Sequence, residues 1–259
     1  MRIGPTFPTR AQTDEFPWSS RLARRNLVHG FDSRNASSRS FNLIRSKLVA
    51  LQRDRGWRML GVVSATPNVG KSFVSANVAA AMSRDPRFQT YLIDLDLRRG
   101  TIKDIFGIET DDGIVNYLEQ SEPRSVLPGF MPQGQELIII PNVAAPVHSA
   151  ELLASERASA LFQAMRNSDE RNYFICDLPP VFANDDAAII MEALDGYIIV
   201  AQDGKTTQRE VAATVESLGH DRLAGVVLNK YRGGMISEGY GIEDRYASEY
   251  YATREADED

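Results

Sequence analysis

Six short apolar runs constrain this chain more than anything else in it. MLGVVSA (59–65), TYLIDLD (90–96), LIIIP (137–141), YFICDLPP (173–180), GYIIVA (196–201) and LAGVVLNK (223–230) have no polar alternation over most of their length. A strand exposed on one face alternates with period two, so an unbroken apolar strand has to be buried on both faces. The segments between the runs supply the cover. KSFVSANVAAAMSR (71–84), ALFQAMRNS (160–168), DDAAIIMEAL (185–194) and TTQREVAATVESLG (206–219) carry apolar or small residues at helical spacing. Strand and helix in alternation predict an α/β fold, a doubly wound and mostly parallel sheet with helices on both faces. A further helix is expected over 38–52, where Phe41, Ile44, Leu48 and Leu51 recur at helical spacing.

Three parts follow. Residues 1–37 mix Pro, Arg, Ser and Asn without a period and predict a flexible basic arm. Residues 38–230 hold the periodic pattern, with no internal repeat. Residues 231–259 are Gly-containing, acidic and rich in tyrosine, and predict a tail. Charge is polarised: residues 1–60 carry twelve Arg or Lys against four Asp or Glu, and residues 237–259 carry eight acids against two arginines. The basic start suits an anionic membrane surface or the acidic end of the same or another copy; both ends also suit plain solvation. No run of 18 apolar residues is present and the start lacks a signal-peptide core. The sole cysteine is Cys176, so no internal disulfide forms and a cytoplasmic setting is expected. No nucleic-acid partner is expected.

Chemistry concentrates where strands end. SATPNVGKSF (64–73) lies between a strand and a helix and closes in Gly-Lys-Ser. In a phosphate-binding loop the backbone N–H groups wrap phosphates, the lysine bonds their terminal oxygens and the hydroxyl ligates magnesium. Pro67, Asn68, Val69, Gly70, Lys71, Ser72 and Phe73 are the candidate binding residues. Ala65 stands where such a loop opens on glycine; a small residue suffices if the backbone there is ordinary. Asp94 and Asp96 share one face at the end of their run, and Asp177 ends another. Three carboxylates at strand ends, beside a phosphate loop, suit magnesium and the nucleophile of phosphoryl transfer.

In their order, SATPNVGKSFVSANVA, LIDLDLRRG, SAELLASER, ICDLPP, the DDAA run and GVVLNK resemble the bacterial tyrosine kinases (BY-kinases) of capsule and exopolysaccharide systems. These lie within the wider MinD/ParA-like ATPase class. The resemblance covers about residues 38 to 230. It implies ATP and Mg2+ as cofactors, Lys71 on the β- and γ-phosphates, and Ser72, Asp96 and Asp177 around the metal. It makes Asp94 the favoured base for a tyrosine proton, with Asp96 as its partner. Arg98 and Arg99 match a basic pair that touches phosphate or a neighbouring subunit. Asn229 matches an asparagine that reads adenine; a strand-end turn residue is the other reading of it. Thr66 replaces the lysine of the MinD and ParA proteins, which favours the kinase branch over a non-kinase ATPase switch.

The same resemblance makes the late tyrosines phosphoacceptors in trans: Tyr240, Tyr246, Tyr250 and Tyr251, with Tyr231 the one most apt to pack. It implies self-association, and a membrane chain-length regulator, or polysaccharide co-polymerase, whose cytoplasmic segment holds the chain at the inner membrane. One departure stands out. The family's Glu-x-x-Arg-x-x-Arg helix reads here as Arg39, Asn42 and Arg45, which puts the usual subunit contact in doubt.

Overall fold

The computed structural model describes residues 5–119, 126–143 and 148–231. The chain divides into two compact units, Met1–Asn229 and Lys230–Asp259. Tyr240, Tyr246, Tyr250 and Tyr251 lie outside the described residues.

The first unit is built on an eight-stranded sheet, numbered along the chain as β1 (Asp14–Phe16), β2 (Met59–Val63), β3 (Gln89–Asp94), β4 (Phe130–Pro132), β5 (Leu137–Ile140), β6 (Asn172–Asp177), β7 (Gly196–Gln202) and β8 (Leu223–Asn229). Their spatial order is β1-β4-β5-β3-β6-β2-β7-β8. Every pairing is parallel except the short β4–β5 contact. Every residue of β2 and β5 is buried, as the unbroken apolar runs require. The helices are α1 (Ser20–Arg25), α2 (Arg39–Arg55), α3 (Lys71–Met82), α4 (Ile102–Phe106), α5 (Ile114–Glu119), α6 (Ser149–Leu153), α7 (Glu156–Arg166), α8 (Asp186–Met191) and α9 (Gln208–Leu218). Two apolar clusters form the core. One holds Leu48 of α2 and Val78 of α3 with Leu60 and Ile175. The other holds Leu161 of α7, Ile190 of α8 and Val215 of α9 with Val63 and Phe174. No helix among the described residues is long and apolar enough to cross a membrane.

The start of the chain departs from its sequence reading. Residues 5–37 are not a loose arm: β1 extends the sheet beside β4, and Phe7 packs edge-on against Phe174 with ring centroids 4.8 Å apart. Trp18 lies 5.5 Å from the buried Phe106 ring. Composition hid this because a few aromatics, spaced without a period, supply the burial.

Asn77, fully buried on α3, holds the segment in place. Its amide oxygen accepts from the His29 and Gly30 N–H groups at 2.7 and 3.0 Å, and its nitrogen donates to Leu27 O at 3.0 Å. Gly30 is required there, since a Cβ would stand 2.2 Å from Asn77 O. Replacing Asn77 by alanine orphans buried N–H groups and is expected to cost about 2–4 kcal/mol in urea unfolding. Tryptic cleavage near Arg24 and Arg25 should rise with it. A flexible arm would leave both readings unchanged.

Candidate functional site

The site lies at the carboxyl ends of β2, β3 and β6, where ligands bind in open α/β sheets. β2 delivers the chain into the loop 64–70. Residues just after β6 run beside its start, with Val181 N–H donating to Ser64 O at 2.8 Å and Phe182 N–H to Ala65 O at 3.3 Å. Ala65 is 1% exposed, so a small residue fits where the motif usually has glycine. Asn68 and Gly70 take φ of 64° and 90°, the left-handed turn that lets the loop curl before α3 begins. The loop is clamped from both flanks. Arg99 Nη1 donates to Asn68 Oδ1 at 3.1 Å, and Asn229 Nδ2 donates to Val69 O at 2.8 Å. Asn229, read above as an adenine reader or a turn residue, here ties the last strand of the unit to the loop.

α3 opens with Lys71 and Ser72, and the register of β3 on β6 sets Asp94 directly beside Asp177. The side chains meet. Lys71 Nζ lies 2.8 Å from Asp177 Oδ1 and 3.6 Å from Asp96 Oδ2. Ser72 Oγ donates to Asp177 Oδ2 at 2.6 Å and accepts from Thr101 Oγ1 at 2.7 Å. Ser75, one turn after Lys71, donates to Asp177 Oδ1 at 2.8 Å. Asp94 accepts from two backbone N–H groups, Asp96 at 3.2 Å and Ile102 at 3.0 Å. Asp94 and Asp177 are fully buried and Asp96 is 5% exposed.

Three carboxylates around one ammonium are electrostatically crowded. Burial opposes the charged ammonium, yet Asp177 and Asp96 outweigh it and hold Lys71 above the ordinary lysine pKa. Burial, and then the Asp177 carboxylate, push Asp94 well above the usual carboxylate range. Burial raises Asp96 too, with Lys71 opposing. The arrangement is a cation lock in which Lys71 is folded back onto the acids.

Phosphates and a divalent ion suit these residues. The ion would take over the neutralisation of Asp177 and Asp96, freeing Lys71 for phosphate oxygens. Among the described residues no three His, Cys, Asp or Glu side chains form a metal cage. Magnesium at a phosphate site needs none, because water and phosphate fill most of its octahedron. Ser72 Oγ and Asp177, 2.6 Å apart, are the protein donors in place.

Lys71, Ser72, Asp94, Asp96 and Asp177 therefore converge. Ser75 and Thr101 were missed by sequence reading. Ser75 was legible as the same helix face one turn from Lys71; nothing in the sequence marks Thr101. A cavity of ≈ 820 Å³ opens at the opposite ends of the central strands, lined by Arg10, Arg87, Tyr91 and Asp169, and holds none of the site residues. Asn42, at the altered helix position, accepts from Arg84 and donates to Ser33 O at 3.4 Å. It is thus engaged within its own chain.

Residues 39–246 match the CobQ/CobB/MinD/ParA nucleotide binding domain. The chain is 32% identical over 213 residues to EpsB of Ralstonia solanacearum, covering 78% of this chain and 27% of that one. It therefore spans about a quarter of that relative's length. It is 28% identical over 229 residues to the tyrosine-protein kinase YwqD of Bacillus subtilis, covering 86% of this chain and 94% of YwqD. The kinase domain of the Escherichia coli tyrosine kinase ETK superposes with a TM-score of 0.68, at 23% identity, covering 85% of this chain and 92% of that one.

Proposed function

The chain belongs to the CobQ/CobB/MinD/ParA nucleotide-binding domain family, and on that premise we propose that it is an ATP- and Mg2+-dependent protein-tyrosine kinase. It phosphorylates the tail tyrosines of another copy, Tyr240, Tyr246, Tyr250 and Tyr251, and so regulates exopolysaccharide or capsule polymerisation and export. The supporting observation is the second acidic strand end: Asp94 and Asp96 stand against the Lys71–Asp177 pair of the phosphate loop. The sequence likeness to YwqD, which extends over nearly all of that kinase, favours the same reading. A membrane chain-length regulator's cytoplasmic segment is the proposed partner, at the inner membrane.

Little covalent chemistry falls to the protein in phosphoryl transfer; positioning and charge stabilisation dominate. Bound magnesium would neutralise phosphate charge and orient the transferred group. The loop 66–70 offers backbone N–H groups to phosphate oxygens, and the start of α3 adds its dipole. Lys71 swings from Asp177 to the terminal phosphates. Ser72 and Asp177 would hold the metal, with Ser75 keeping the Asp177 carboxylate oriented and Thr101 orienting the Ser72 hydroxyl.

The base assignment shifts. Asp94, favoured by resemblance, has both oxygens on backbone N–H groups and no exposure. Asp96 faces Lys71 at 3.6 Å and its side chain accepts no backbone bond among the described residues, so its carboxylate has an oxygen for a tyrosine hydroxyl. Asp94 instead fixes the bend from β3 into α4. Asp96→Asn is expected to lower phosphate transfer about 10²- to 10⁴-fold with ATP affinity nearly kept. Asp94→Asn should lower thermal stability first, because its amide would face an N–H donor. A larger transfer loss in a well-folded Asp94→Asn protein returns the base role to Asp94.

The second reading is a non-kinase ATPase switch acting with a membrane polysaccharide-export partner. The internal engagement of Asn42 favours it, since that helix position then does not serve the usual subunit contact. Purified protein with ATP and magnesium, with and without the partner segment, decides by intact mass. ATP hydrolysis without phosphotyrosine in every condition leaves the switch.

A further inference from the structure

Arg98 follows Asp96 by two residues and projects at the rim of the site, its side chain 45% exposed. It does not hang free. Arg98 Nε donates to Ser149 Oγ at 2.8 Å, and Ser149 Oγ donates to Asp186 Oδ2 at 2.6 Å. The hydroxyl thus accepts from the guanidinium and gives its one proton to the acid, which fixes its orientation. Asn184 Nδ2 donates to the same Asp186 oxygen at 2.9 Å. Arg98 Nε stands 3.5 Å from Asp186 Oδ2.

Asp186 is fully buried, and its other oxygen has no hydrogen-bond partner among the described residues. A buried carboxylate with an orphan oxygen is costly unless a cation is near. Arg98 is the one cation within ion-pair distance of it among the described residues. Ser149 opens α6 and Asp186 opens α8, so two helices hold the Nε edge of one rim arginine. The Nη edge, which carries the planar fork suited to a carboxylate or phosphate, makes no hydrogen bond among the described residues.

We infer that Ser149 and Asp186 are positioning residues for Arg98, and that Arg98 is a specificity residue reading negative charge beside the acceptor tyrosine. The inference rests on the proposed kinase reading and names its acceptor class: a tyrosine flanked by carboxylates. The rim placement separates this role from that of Lys71, whose side chain is 8% exposed at the floor of the site. Residues 237–259, with eight acids and two arginines around four tyrosines, have the composition that such an arginine selects.

Two fluorescent peptides test it: residues 237–259, and the same peptide with every Asp and Glu changed to Asn and Gln. Binding to the full-length protein is followed by anisotropy with a non-hydrolysable ATP analogue and magnesium present. The parent is expected to favour the acidic peptide about tenfold. Arg98→Gln should remove that preference, Ser149→Ala and Asp186→Asn should each remove most of it, and Arg98→Lys should restore part. The neutral peptide and the analogue should bind within about twofold throughout. Ser149→Ala added to Arg98→Gln should change nothing further, because residues acting through one group are not additive. The inference is overturned if the parent does not distinguish the peptides. It is equally overturned if Ser149→Ala leaves the preference intact, or if both peptides weaken together. Charge-selective binding with no phosphate transferred from ATP to the same peptide would sink the kinase reading, leaving Arg98 as a reader of acidic segments and not of an acceptor.

Discussion

Replacing Lys71 by methionine is expected to stop phosphate transfer and to destabilise the fold as well. The transfer loss should reach at least roughly 10²–10³-fold, the scale of removing one preorganised donor from a developing charge. The stability loss has a separate cause. Lys71 is the ammonium that compensates Asp177 and Asp96, at 2.8 and 3.6 Å, in a place almost closed to water. Without it Asp177, fully buried, keeps among the described residues only its hydroxyl donors Ser72 and Ser75. Breaking a buried pair from one side costs about 3–5 kcal/mol, and for a chain of this size that lowers Tm on the order of 10 °C.

A second substitution identifies the cause. Lys71→Met with Asp177→Asn removes the uncompensated charge as well as the cation, and should recover at least half of the lost stability while activity stays lost. If the double variant is no more stable than Lys71→Met, the cation lock is not what holds the resting site together. Melting curves with and without magnesium give an independent reading. The parent should gain more from magnesium with ATP than the double variant, whose metal-side carboxylate is gone.

The central fold was legible because burial leaves a direct trace. A strand covered on both faces cannot afford polar alternation, and MLGVV, LIII and GYIIVA show none. The floor of the site was legible for a related reason. Asp94 and Asp177 end apolar runs, where an acid is too costly to be incidental. What escaped notice depends on contacts between distant segments. β1 is three residues long, and β4 meets β5 through a single antiparallel pair, so neither leaves a period to read. The packing of Phe7 and Trp18 depends on partners more than 80 residues away, such as Phe106 and Phe174. Ser149 and Asp186 lie in the SAELLASER and DDAA runs, which give neither a role of its own; their meeting at Arg98 depends on contacts between distant segments. Asp94 shows another limit of the sequence: motif matching favours it as the base, while its contacts with the backbone N–H groups of Asp96 and Ile102 leave no trace in a residue pattern.

Changing Tyr240, Tyr246, Tyr250 and Tyr251 together to phenylalanine is expected to remove nearly all phosphate from the protein while leaving ATP affinity unchanged. The reasoning separates acceptor from machinery. The tyrosines that remain in the core are poor acceptors: Tyr173 and Tyr197 are fully buried and Tyr91 is 3% exposed. Burial, and secondarily Asp169, push the Tyr91 hydroxyl up to about 12, and that hydroxyl donates to Pro8 O at 3.1 Å. Tyr231 is half exposed and is the internal control, since it is left in place. Mixing supplies the second half of the test. Lys71→Met protein, inactive but with its tyrosines intact, is incubated with the four-phenylalanine protein, active but without acceptors. Transfer between copies predicts phosphate on the Lys71→Met chains alone, at a rate that rises with concentration. Each phosphate adds about −1.5 to −2 charges at neutral pH, to a segment already carrying eight acids against two arginines. Accumulating repulsion should then separate the copies, so self-association measured by sedimentation should weaken as phosphate accumulates on the parent. Phosphate retained by the four-phenylalanine protein at the parent's level would place the acceptor elsewhere and remove the tail from the mechanism. Phosphate absent from the mixture, with the parent active alone, would mean that each chain acts only on itself.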